Sequence, residues 1–132
     1  MLTFVVLPIE MKKSTLIATA LLIAIGCNKG KNNNAEYMAA CDCTGLAPSY
    51  NANIKPLYDL KCATSGCHNA ATAKSNLKLD TYQNAKDGFG TNNTLCAVNQ
   101  GSGCGHMPLG GVKLTEAEIK NITCWARNGF PQ

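Results

Sequence analysis

Hydrophobic positions recur with helical period most clearly near the C-terminus. Ile119, Ile122 and Ala126 fall on one face, with Trp125 at its margin. Thr115-Glu116-Ala117-Glu118 has the form of a capping box, in which the threonine hydroxyl and the glutamate carboxylate satisfy two orphan N–H groups reciprocally. Leu114 and Ile119 fit the hydrophobic staple that accompanies such a start. Arg127 suits the last turn, and Gly129 before Pro131 supplies a stop. A second helix is predicted over Asn53 to Lys61, with Asn53 as N-cap, Pro56 in the first turn and Ile54, Leu57 and Tyr58 as its apolar stripe. Between the two, Asn69 to Thr94 is rich in Asn, Gly, Thr and Ala, and predicts loops with one short helix near Thr81 to Lys86. No run alternates with the period of a strand, so the predicted fold class is all-α with long loops.

The first forty residues follow a different pattern. Lys12-Lys13 precedes an apolar run, Leu16 to Ile25, that is too short to span a bilayer. The run ends in Ala24-Ile25-Gly26-Cys27, which resembles the lipobox of bacterial lipoproteins and makes Cys27 the expected lipidated first residue of the mature chain. The other reading is an ordinary secretory signal. Met1 to Glu10 places an apolar stretch and an acid ahead of the basic pair, so translation is expected to begin at Met11. Residues 1–26 are therefore read as a signal segment. Residues 27–40, polar and without periodicity, are read as a tether, and 41–132 as one small domain.

Charge narrows the partners. From Cys27 onward the chain has ten basic and seven acidic residues, dispersed rather than clustered, which excludes a nucleic-acid surface. A domain of this size with one Trp and three Phe in the whole chain buries little apolar surface unaided. A large apolar cofactor or disulfides would remedy this, and eight cysteines keep both open.

Cys62-Ala63-Thr64-Ser65-Gly66-Cys67-His68 carries the most specific chemistry. Two cysteines followed directly by a histidine are the arrangement that fastens a c-type haem. Each thiol makes a thioether to the porphyrin edge, and the imidazole ligates the iron. The usual spacing has two residues between the cysteines and this chain has four, so the extra backbone must loop outward, which Ser65-Gly66 permits. The competing reading pairs Cys62 with Cys67 in a disulfide and leaves His68 on the surface.

Further motifs follow in a consistent order. Tyr50 and Lys55-Pro56-Leu57 precede the cysteines. Met107-Pro108, Gly110-Gly111, Leu114 to Ile119, and Trp125 with Asn128-Gly129 come after them. From Cys41 to the C-terminus the chain resembles small class I cytochromes c, and more nearly the exported cytochrome c-like domains of Bacteroidetes lipoproteins. The resemblance implies one haem c per chain, with His68 proximal and Met107 distal, His106 being the rival distal ligand and an open site the third reading. It implies an electron carrier rather than an enzyme, outside the cytoplasm, anchored to a membrane by lipid and serving redox partner proteins.

Two other functions compete with this one. They are a haem subunit or gas- or peroxide-binding protein, and a haem-free, disulfide-stapled lipoprotein acting as a binding module. Of the remaining cysteines, Cys96 with Cys104 would close the loop before Met107. The packing of terminal helices in cytochromes c implies that Cys41 or Cys43 reaches Cys124. A zinc site is disfavoured because the spacings lack paired C-x2-C motifs.

Overall fold

The computed structural model of the protein describes residues 34–132. The expected signal segment, the lipidation site Cys27 and the first half of the tether lie outside the described residues. The fold is all-α. Among the described residues five α-helices, α1 (Asn34–Ala40), α2 (Lys55–Lys61), α3 (Tyr82–Thr91), α4 (Thr94–Asn99) and α5 (Glu116–Arg127), are joined by loops and two short turns of other helix types. Among the described residues none is long and apolar enough to cross a membrane.

The predicted C-terminal helix forms with its capping box complete. Thr115 Oγ1 accepts from Glu118 N, and Glu118 Oε2 accepts from Thr115 N. Its far end closes in a Schellman motif. Gly129 N–H donates to the Ala126 carbonyl and Phe130 N–H to that of Trp125, with the Phe130 ring edge-on to Trp125 at 4.9 Å. Trp125, expected at the margin of the apolar stripe, is instead fully buried. The Schellman turn folds the last residues back over it, so its indole Nε1–H donates to the Pro131 carbonyl at 2.9 Å. Tyr50 and Tyr82 pack against the same ring. The Tyr82 hydroxyl donates to the Phe130 carbonyl, and the Tyr50 N–H to that of Pro131. These bonds pair the Trp125 and Tyr82 polar edges and the Tyr50 N–H within an aromatic core that also takes in Ile54, Phe89 and Ile122, while the Tyr50 hydroxyl has no protein partner among the described residues.

Three expectations change. The second helix begins earlier than Asn53: Ser49 is the N-cap of a wide π turn, Tyr50–Ile54, that runs into α2. Asn53 serves the cap from inside the turn, its Oδ1 accepting from Ser49 N at 3.0 Å. The short middle helix starts as expected, with Thr81 Oγ1 capping Asn84 N, but it continues through Gly88 and Gly90 to Thr91. Glycine is a poor helix former, yet a Cβ on Gly88 would lie 2.5 Å from Leu77 Cδ1, so close packing on that segment outweighs propensity.

The tether reading also shortens, since residues 34–40 form a helix packed on α4 and α5. Asn34 explains this docking. Its buried side chain donates to the Phe89 and Asn92 carbonyls, and its Oδ1 accepts from Leu95 N at 2.8 Å. That last bond caps the start of α4, whose own N-cap Asn93 makes no side-chain cap.

Two disulfides brace the fold. Cys43–Cys124 joins the segment after α1 to α5, and Cys96–Cys104 joins α4 to the loop that leads to Met107. Both fall among the pairings raised above. Lys61 Nζ and Glu118 Oε1, 2.6 Å apart, tie the end of α2 to the start of α5.

Candidate functional site

Beside the aromatic core the chain encloses a hollow of about 440 Å³, within the size range of small-molecule and cofactor sites. The end of α2 supplies its first wall. The helix finishes with both Cys62 N and Ala63 N donating to the Tyr58 carbonyl, which turns the chain sharply out of the helix. The four spacer residues then double back. Cys67 N donates to the Thr64 carbonyl and His68 N to that of Cys62, with Gly66 in the left-handed region at φ 81°. The turn brings Cys62, Gly66, Cys67 and His68 together on the wall of the hollow.

His68 is 8 % exposed. Its Nδ1 lies 3.2 Å from the Leu77 carbonyl, and a carbonyl can only accept, so Nδ1 carries a proton and Nε2 is the nitrogen left for other partners. Leu79 N donates back to the His68 carbonyl at 2.8 Å, holding the segment on both sides of the ring. Leu77 and Leu79 continue as an apolar wall, joined by Val98 from α4 and by Leu114.

Met107 enters from the opposite end of the sequence. Its N–H donates to the Ala97 carbonyl of α4 at 3.0 Å, and the Cys96–Cys104 disulfide holds the loop just before it. Met107 and Pro108 line the hollow, whereas His106 is exposed and does not. Of the two candidate distal ligands, only the methionine faces the site.

The cysteines divide sharply. Four of the described ones are paired, while Cys62 and Cys67 remain thiols at the edge of the hollow. The Cys62–Cys67 disulfide considered above does not form. Burial, together with the neighbouring Cys67, pushes the Cys62 thiol up to about 11. This is the reverse of the shift that makes a cysteine nucleophilic.

Two polar atoms were not foreseen. Tyr58 Oη and Thr94 Oγ1 are buried on the wall of the hollow, and no protein group among the described residues hydrogen-bonds them. The Tyr50 hydroxyl, in the aromatic core away from the hollow, is unpartnered in the same way. Tyr58 was legible only as part of a helical stripe, and nothing local marked Thr94. Two thiols, one imidazole nitrogen and one thioether around an apolar hollow could hold an iron porphyrin. No family model, curated protein or solved structure matches this chain.

Proposed function

We propose that the chain is a monohaem c-type cytochrome that carries single electrons outside the cytoplasm, anchored to a membrane by lipid on Cys27. One observation carries the proposal: Cys62, Cys67, His68 and Met107, the last 39 positions beyond the histidine, converge on one apolar hollow while the other described cysteines but Cys41 are paired. Cys62 and Cys67 would hold the porphyrin edge by thioethers, with His68 Nε2 and Met107 Sδ on the iron. Bound there, the iron supplies a one-electron ferric–ferrous couple.

The chain's part is to hold that couple steady. The bond from His68 to the Leu77 carbonyl fixes the tautomer and orientation of the imidazole. The Cys96–Cys104 disulfide and the Met107–Ala97 backbone bond fix the opposing loop, so little must move when charge changes. Leu77, Leu79, Val98 and Leu114 exclude water, and a soft thioether favours the ferrous state. With His68 and Met107 both holding the iron, no position on it would be left for substrate, which favours a carrier over an enzyme.

The reduced holoprotein should resist carbon monoxide, and Met107→Ala should bind it readily while His106→Ala behaves as the wild type. Carbon monoxide binding by the wild type would instead favour the gas- or peroxide-binding reading. A colourless product from cells that mature other c-type cytochromes would refute both.

A further inference from the structure

The third unpaired cysteine lies far in sequence from the hollow and in quite different company. Cys41 Sγ is 3.8 Å from Cys124 Sγ and 3.9 Å from Cys43 Sγ, the two sulfurs of a disulfide. We infer that Cys41, Cys43 and Cys124 form a thiol–disulfide exchange site, in which one thiol is shared between positions 41 and 43. The inference is independent of what fills the hollow.

The step is balanced within the cluster. The Cys41 thiol loses its proton to solvent and attacks Cys124 Sγ. The Cys41–Cys124 bond forms and the Cys43–Cys124 bond breaks. Its electron pair leaves on Cys43, which takes up a proton, so nothing is oxidised or reduced overall. Attack must come along the axis of the disulfide, whereas Cys41 Sγ lies abreast of it, nearly equidistant from both sulfurs. A turn of the Cys41 side chain is therefore the required motion, and the sulfur has no long path to travel.

Two features restrict the exchange to the outer positions. Cys124 is fully buried in α5, while Cys41 and Cys43 are part-exposed, so Cys124 is the shielded centre. A bridge between Cys41 and Cys43 would span one residue and strain both ends. By contrast, the two bridges to Cys124 close loops of 81 and 83 positions, whose entropies differ negligibly. Either bridge pins the chain leaving α1 to α5, where Arg127 Nη1 already donates to the Cys41 carbonyl. The free outer sulfur is then the one open to a thiol- or disulfide-bearing reagent.

The matured full-length protein would be held at mildly alkaline pH, quenched in acid to freeze exchange, and labelled with N-ethylmaleimide. Cleavage before Asp42 separates the two outer cysteines for mass spectrometry. Label should be divided between Cys41 and Cys43 within about tenfold, corresponding to ~1.4 kcal/mol, with none on Cys124. Label confined to Cys41 would overturn the inference. Two variants give an independent readout. Cys43→Ser should form a Cys41–Cys124 bridge and melt within a few degrees of Cys41→Ser, while the double variant should melt more than about 10 °C lower. If Cys43→Ser melts with the double variant and labels at Cys124, the cluster does not exchange.

Discussion

The two sides of this small domain are built on opposite plans. Around α5 the aromatic residues pack against one another, the polar edges of Tyr82 and Trp125 find carbonyls of the last three residues, and Cys43–Cys124 closes the seam. Around the hollow, apolar side chains face an open space, two hydroxyls find no protein partner, and two thiols stay unpaired. One side is filled by protein groups, with only the Tyr50 hydroxyl unpartnered; the other leaves a space lined by unpaired thiols.

The sharpest way to break this contrast is truncation on each side. Trp125→Ala removes the centre of the packed core and should cost about 3–5 kcal/mol of unfolding free energy, whereas Leu79→Ala, beside the hollow, should cost about 2 kcal/mol in the cofactor-free chain. Equal losses in urea titrations would show that the two sides are packed alike. The disulfide near the hollow comes next. Cys104→Ser opens a loop of 8 positions and should cost about 2–3 kcal/mol, and it should also loosen Met107, seen as faster amide exchange from Ser102 to Gly111.

The smallest effect lies where the two sides meet. The Lys61 ammonium, with the Thr115 N–H, holds the Glu118 carboxyl below its usual value of 4.5. A carboxylate depressed in the folded state stabilises above its unfolded pKa, and that contribution disappears as pH falls from about 4.5 through the folded value. Glu118→Gln should therefore cost about 0.5–1 kcal/mol near neutrality and progressively less in acid, by thermal melts across that range. A cost that persists unchanged in acid would mean the ion pair is not its source.

Legibility in the sequence followed the range of the interactions. The capping box at Thr115 and the stop at Gly129 are local and were readable. So was the grouping of Cys62, Cys67 and His68 at one place, because they lie within seven residues. Asn34 was read as tether because its partners, Phe89, Asn92 and Leu95, lie more than fifty positions away. Helix α4 was missed for a related reason, since the side chain that caps it belongs to Asn34. Trp125 was placed at a margin because helical period says nothing of the Schellman turn that brings Phe130 and Pro131 over its ring. Thr94 carries no motif and becomes notable only once the hollow exists around it.

The decisive measurement is the mass of one peptide. Trypsin cleaves after Lys61 and after Lys74, releasing residues 62–74 with both thiols and His68. From protein made in cells that mature c-type cytochromes, this peptide should carry the mass of one haem bound through two thioethers, and Cys62→Ala should leave a single attachment at Cys67. Recovery of the unmodified peptide, with both thiols free or joined to each other, would contradict the cytochrome reading.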